Sequence, residues 1–76
     1  MNHVLVVDDS TMDRELAGQL LRKNTSYDVQ YASDGLEAIE QLEASLPLAL
    51  VTDLRMPEMD GMELVRVARR DFPTVA

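Results

Sequence analysis

The sequence predicts an α/β fold with a mostly parallel sheet and helices on both of its faces. Short apolar runs suited to buried strands alternate with longer segments in which apolar residues recur at helical spacing. Strands that alternate with helices in this way form right-handed β-α-β crossovers, which build parallel sheets. The length of 76 residues allows one domain at most.

The opening of the chain predicts the first strand and the first helix. Residues 4–7 are a continuous apolar run rich in β-branched side chains, which is typical of a strand buried on both faces. The helix begins at Ser10 or Thr11, because Ser10 resembles a capping residue, and it runs to about Lys23. Its apolar residues recur at helical spacing at Met12, Leu16, Leu20 and Leu21.

The second strand is predicted at residues 27–32, where apolar and polar residues alternate weakly, as at the edge of a sheet. Asp34 and Gly35 are predicted to form a turn. The second helix then ends before Pro47, since the residue ahead of a proline disfavours helical geometry. Its apolar residues are Leu36, Ala38, Ile39 and Leu42.

The third strand is predicted at residues 48–52, directly before Asp53. A loop follows in which Pro57 restricts the backbone and Gly61 permits the turn into a third helix. The apolar residues of that helix are Met62, Leu64, Val65 and Ala68, with arginines toward its C-terminus. Residues 72–76 are predicted to be a loop and the first residues of a fourth strand, which leaves the α/β unit incomplete.

Composition narrows the classes of function. The net charge of −7 opposes non-specific attraction to nucleic acid or anionic lipid, so we expect no direct nucleic-acid binding by this segment. The apolar runs are too short to span a membrane, and no signal peptide is present, so we expect a cytoplasmic location. The absence of cysteine excludes disulfides and thiolate metal sites.

Three aspartates follow strands that should be neighbours. Asp8 and Asp9 close the first strand and Asp53 closes the third, and in the 2-1-3 order of flavodoxin-like folds these strands flank the ligand-binding edge. Taken alone, Asp9 could equally be a helix N-terminal charge, and Asp53 could equally be a turn former at the end of a strand. Together they need a cation or a proton, because two like charges about 4 Å apart repel by about 4 kcal/mol at an effective dielectric of about 20. Because all of these ligands are oxygen atoms, the cation they indicate is Mg²⁺.

Three ordered motifs resemble the receiver domain of two-component response regulators. They are Val-Val-Asp-Asp-Ser at residues 6–10, Asp-Gly at 34–35, and Asp-Leu-Arg-Met-Pro followed by Met-Asp-Gly within 53–61. Because these motifs are spread over the whole chain, residues 1–76 are identified as the N-terminal part of a receiver domain. The resemblance implies the flavodoxin-like fold.

The resemblance also implies roles for individual residues. Asp53 corresponds to the phosphoacceptor, Asp9 to the direct Mg²⁺ ligand, and Asp8 to the acid that holds the ion largely through water. Arg55 corresponds to the position whose backbone carbonyl completes the protein ligands. The implied partner is a sensor histidine kinase or phosphotransfer protein, whose phosphohistidine passes its phosphoryl group to Asp53. Such a domain is a phosphoacceptor and not a turnover enzyme.

The chain departs from the family pattern in two ways. A complete receiver has five βα units, with a Ser or Thr at the end of the fourth strand and a Lys at the end of the fifth. Thr74 lies at the opening of the fourth strand and Lys23 closes the first helix, so neither takes those roles. We therefore expect slow phosphorylation by small donors, and we keep a non-phosphorylated interaction module as the alternative. A haloacid-dehalogenase-type phosphohydrolase would need an acid where Arg55 stands.

Self-association is a further expectation. With the chain ending at the fourth strand, the third strand would be an edge with open backbone donors and acceptors. Leu48, Leu50 and Val51 are predicted as buried, and the apolar faces of the first and third helices would lack a covering layer. Pairing with a second copy, or swapping residues 73–76 between two copies, would cover both, so a dimer is expected. The competing outcome is a partly folded monomer, because the core is small.

Overall fold

The computed structural model describes residues 3–56 and 58–76. Its elements are β1 (His3–Val7), α1 (Thr11–Asn24), β2 (Asp28–Ala32), α2 (Gly35–Ala44), β3 (Ala49–Thr52) and α3 (Gly61–Asp71). These six elements confirm the predicted succession of three strands and three helices. The rigid turn predicted at Pro57 lies outside the described residues.

The three strands form a parallel sheet in the order β2-β1-β3. β1 is central and all five of its residues are buried, as expected of a continuous apolar run between two neighbours. β2 is an edge strand on which exposed and buried positions alternate at first. The fold is therefore α/β with the flavodoxin-like 2-1-3 order.

Each helix begins with a side-chain cap. Ser10, Asp34 and Asp60 each accept a hydrogen bond from the backbone N–H three residues later. Asp34 is the N-cap of α2 and Gly35 is the first residue of that helix, so the predicted turn at these two residues is the start of the helix itself. The caps stabilise the helix starts that follow the carboxyl ends of the strands.

The helices divide between the two faces of the sheet. On one face, α2 and α3 close a core in which Leu5, Val7, Leu42 and Leu64 are at most 1% exposed. On the other face, α1 packs over β1 and β2. Among the described residues, none of the helices is long and apolar enough to cross a bilayer.

The prediction that Leu48 and Val51 are buried is wrong. Their exposed fractions are 40% and 43%, whereas Leu50 packs against the core formed with α2 and α3. For Val51 the reason is that side chains alternate across a strand, so it points to the face where α1 covers the other two strands. Leu48 lies before β3, which begins at Ala49.

The outer edge of β3 is partly paired with the end of the chain. The Leu50 N–H donates to the Ala76 carbonyl at 2.9 Å, and the Ala76 N–H donates to the Leu48 carbonyl at 3.0 Å. These two bonds follow the pattern of a parallel strand. The expectation of a fully open edge is therefore wrong at Leu48 and Leu50, where Ala76 of the predicted fourth strand already pairs.

Candidate functional site

Asp8, Asp9 and Asp53 lie at the carboxyl edge of the sheet. In the register of β1 and β3, Val7 is the partner of Thr52, so the residues that follow each strand end side by side. The Asp53 N–H donates to the Val7 carbonyl at 2.9 Å, which extends the backbone pairing to the aspartate itself. The position of Asp53 is therefore set by the sheet rather than by a loose loop.

The three side chains converge. One carboxylate oxygen from each of Asp8, Asp9 and Asp53 lies within 4.8 Å of the other two. Asp8 and Asp53 are half-buried and Asp9 is exposed. The convergence expected from the sequence is thus present in the structure, while the roles of these residues in binding and catalysis stay predictions.

Backbone amides hold two of the three carboxylates. The Ser10 N–H donates to Asp8 Oδ1 at 3.0 Å, and the Leu54 N–H donates to Asp53 Oδ1 at 2.8 Å. Hydrogen bonds from backbone amides to a carboxylate limit the rotamers that the side chain can adopt. The site is therefore organised in part by the loops that carry it.

Gly61 lets α3 begin directly against the site. A Cβ at this position would collide with the Asp53 carbonyl oxygen and would lie 2.8 Å from the Leu54 Cα. The Gly61 N–H also donates to the Leu54 carbonyl at 3.0 Å. No glycine among the described residues has a positive φ; in this loop Glu58 has one, at 68°. Gly61 is thus required for the close approach of two backbones, which corrects the predicted role in permitting a turn.

Sequence reasoning did not single out Arg14, which the structure places beside the acids. Its Nη1 donates to the Asp8 carbonyl oxygen at 2.7 Å and its Nη2 donates to Thr11 Oγ1 at 3.3 Å. A signal was available, because a basic residue at the end of the first turn of a helix that follows two acids is able to reach back to the strand end. That signal is weak, since exposed arginines are common on helices.

The other candidate residues lie farther from the cluster or in solvent. Arg55 is exposed in the loop after β3, and the role of its carbonyl stays a prediction. Lys23 is in the last turn of α1, and α1 begins near the acids and runs away from them. Thr74 is exposed beyond α3. Neither Lys23 nor Thr74 is assigned a role at the acidic edge.

Comparisons of the sequence and of the structure with known proteins point to the same family. The model of the response regulator receiver domain matches residues 4–76. The response regulator MprA of Mycobacterium ulcerans (strain Agy99) is 44% identical over 66 residues, which make up 87% of this chain and 28% of that protein.

Solved structures agree with this similarity. A two component transcriptional regulator AraC from Clostridium phytofermentans ISDg superposes with a TM-score of 0.88 at 36% identity, covering 100% of this chain and 63% of that chain. The chemotaxis protein CheY4 of Vibrio cholerae superposes with a TM-score of 0.85 at 32% identity, covering 97% of this chain and 61% of that chain.

The match extends over nearly the whole chain, although the chain spans 28% of the MprA relative and about three fifths of the two solved chains. Residues 4–76 include both strand ends that carry the acids. The chain therefore belongs to the response regulator receiver domain family of two-component systems.

Proposed function

We propose that this chain accepts a phosphoryl group on Asp53 from the phosphohistidine of a sensor histidine kinase or phosphotransfer protein. The observation that carries this proposal is the convergence of Asp8, Asp9 and Asp53 within 4.8 Å at the carboxyl edge of a receiver-family sheet. Ligands bind at this edge in open α/β sheets, where the order of the strands reverses.

The donor set fits a magnesium ion. Asp8, Asp9 and Asp53 offer only oxygen atoms, and a half-exposed cluster leaves room for the waters that Mg²⁺ keeps. We assign Asp9, Asp53 and the backbone carbonyl of Arg55 as its direct protein ligands, and Asp8 as the acid that would hold it largely through water. When bound, the ion supplies positive charge that offsets the repulsion among the carboxylates and between them and an incoming phosphoryl group.

Asp53 is the nucleophile in this proposal. Its Oδ1 accepts the Leu54 N–H at 2.8 Å, and we assign Oδ2 as the attacking oxygen. As the bond from Oδ2 to phosphorus forms, the bond from phosphorus to the imidazole nitrogen breaks, and the histidine leaves with the electron pair. The product is an acyl phosphate on Asp53. The backbone pairing of Asp53 with Val7 keeps the nucleophile in place during attack.

The chain is proposed to be a phosphoacceptor rather than a turnover enzyme. Rapid hydrolysis of the acyl phosphate would need a general acid or base beside Asp53, and the residue two positions on is Arg55, which is exposed. We also expect labelling by small donors to be slow, because the lysine of this chain, Lys23, lies in the last turn of α1. A cytoplasmic location belongs to the same proposal.

A second candidate function is favoured by the exposed apolar residues of α1. Met12, Leu16 and Leu20 form a stripe at a spacing of four residues, with exposed fractions of 72%, 52% and 62%. Such a stripe is typical of an interaction surface. On this alternative the chain is a receiver-like association module, and we propose that it forms a dimer through this face. The net charge of −7 argues against nucleic acid as the partner.

A magnesium titration followed by amide NMR tests the metal site. We expect Mg²⁺ to shift the resonances near Asp9 and Asp53, and Asp9→Ala to abolish the shifts. Asp28→Asn is the matched control, because it changes one exposed aspartate at the start of β2, on the other edge of the sheet. Absence of any Mg²⁺-dependent shift near Asp9 and Asp53 in the unaltered chain would reject the site.

Phosphorylation is tested separately by mass spectrometry after long incubation with acetyl phosphate and Mg²⁺. One phosphoryl group is expected on the unaltered chain and on Asp28→Asn, and none on Asp53→Asn. A phosphoryl group that persists in Asp53→Asn would show that the acceptor is another residue. No label on any variant, together with concentration-dependent dimerisation, would favour the association module.

A further inference from the structure

Arg14 differs from the other basic residues of the chain in its surroundings. The six others are exposed, whereas Arg14 is half-buried and directed at the acidic edge of the sheet. Its guanidinium donates to the Asp8 carbonyl oxygen at 2.7 Å and to Thr11 Oγ1 at 3.3 Å. A surface arginine with no structural role would not need either contact.

The contact with Asp8 fixes more than one residue. The Asp8 N–H donates to the Ala32 carbonyl at 3.1 Å, so β2 holds one side of Asp8 and Arg14 holds the other. A peptide unit is planar, which means that fixing the Asp8 carbonyl also fixes the Asp9 N–H in the same plane. The directions in which the Asp8 and Asp9 side chains leave the backbone depend on this plane.

We propose that Arg14 is a positioning residue for the acidic site: its guanidinium holds the peptide plane between Asp8 and Asp9 so that both carboxylates face Asp53. The part of this inference that concerns metal affinity rests on the proposed Mg²⁺ site. The part that concerns the loop conformation does not, because it is defined in the absence of metal.

The shape of the guanidinium is essential to this role. Two of its nitrogens reach two acceptors at once in a rigid fork, which a lysine ammonium on a flexible stem does not reproduce. A purely electrostatic role would need only the positive charge near three carboxylates. Replacement by lysine therefore separates positioning from charge.

The experiment compares Arg14→Gln and Arg14→Lys with the unaltered chain and with Arg66→Gln. Arg66 is exposed on α3, so Arg66→Gln makes the same charge change away from the site. Amide NMR without metal reports the loop through Asp9 and Ser10, and a Mg²⁺ titration reports the affinity. Both Arg14 variants are expected to shift the two amides and to weaken Mg²⁺ binding by about tenfold, as loss of a group that orients metal ligands does. Arg66→Gln is expected to stay within about twofold, because it touches none of those ligands.

Each outcome decides the proposal. Unchanged Asp9 and Ser10 amides in Arg14→Gln would overturn it, and so would full recovery of loop shifts and affinity in Arg14→Lys, since charge alone would then suffice. If Arg14→Gln fails to fold, Arg14→Lys alone decides the proposal, through the metal-free amide shifts of Asp9 and Ser10 and through the Mg²⁺ affinity. If the unaltered chain binds no Mg²⁺, the proposed function fails, and the metal-free amide shifts decide the positioning role.

Discussion

The two faces of the sheet are built from the same three strands yet reach different degrees of burial. On the α2 and α3 face, Leu64 has no exposed surface and Leu42 is 1% exposed. On the α1 face, Leu16 and Leu20 are more than half exposed, although they recur at spacings as regular as those of the other helices. We call the first the closed face and the second the open face.

The difference shows that helical periodicity identifies which residues share a side of a helix, but not what covers that side. Two helices span the closed face and meet each other there, whereas α1 lies over β1 and β2 on the open face. Burial of an apolar side chain contributes about 25 cal/mol per Å² only where water is removed. Leucines on the two faces should therefore contribute unequally to stability.

The largest effect is expected from a matched pair of leucine truncations. Leu64→Ala should lower the free energy of unfolding by about 2 to 5 kcal/mol, because it removes a fully buried side chain and leaves a cavity. Leu16→Ala should lower it by about 0.5 kcal/mol or less, because the side chain is largely hydrated already. Urea denaturation measures both, and loss of the folded state in Leu64→Ala alone would also satisfy the prediction. Equal effects would mean that the open face is covered in solution.

A matched pair of glycine substitutions sharpens the same comparison. Gly61→Ala should destabilise by about 1 to 3 kcal/mol, because the new methyl meets the backbone of Asp53 and Leu54, which has no rotamer to change. At Gly18 the three atoms nearest to a new methyl all belong to the ring end of Tyr31 on the open face. Alanine has a higher helix propensity than glycine by up to about 1 kcal/mol, and this gain offsets the cost of displacing Tyr31. Gly18→Ala should therefore change the free energy of unfolding less than Gly61→Ala does. Urea denaturation gives both values, and a stable Gly61→Ala with unmoved Asp53 amide resonances would contradict the close approach.

Self-association is expected to depend on the open face. If a second copy covers the stripe of Met12, Leu16 and Leu20, Leu16→Glu should raise the dimer dissociation constant by about tenfold, since a buried charge without a partner is unfavourable. Sedimentation velocity over a concentration series measures this. Gln30→Glu is the control, because it adds the same charge on the other side of the sheet. Gln30 is paired in register with Leu5, and Leu5 belongs to the core of the closed face. A monomer at every concentration in the unaltered chain would reject the dimer.

The smallest effect is expected at the exposed pair of Arg70 and Asp71 at the end of α3. Their hydrogen bond of 2.9 Å, reinforced by the opposite charge of Arg70, lowers the pKa of Asp71 from its ordinary value. A lowered pKa in the folded state stabilises the fold above the unfolded pKa, and this contribution is lost as the pH falls through the folded pKa. Arg70→Gln should raise the pKa of Asp71 in an NMR titration and leave the urea midpoint nearly unchanged. A clear shift of that midpoint would contradict a surface role.

The sequence alone predicted the strands and helices to within a few residues at their ends. Residues 4–7 were predicted as a buried strand and β1 is His3–Val7, because a continuous β-branched run suits a central parallel strand. The convergence of Asp8, Asp9 and Asp53 was also predictable. Parallel strands end at one edge, and the 2-1-3 order makes β1 and β3 neighbours.

Other features depended on contacts between residues far apart in the chain. The burial predicted for Val51 failed, because it depends on how far α1 extends across the sheet and not on the residues of β3. The pairing of Ala76 with β3 also requires the path of the chain after α3.

The sequence by itself determined the order of the elements, the parallel sheet and the edge at which the acids meet, because these follow from local periodicity and from the identity of strand-end residues. Tertiary structure alone decided that apolar residues of α1 and β3 stay exposed, that Gly61 is needed for space against Asp53, and that Arg14 reaches the Asp8 carbonyl. The physical reason is that burial, close approach and side-chain hydrogen bonds depend on distances between elements. Residue spacing along the chain does not specify those distances.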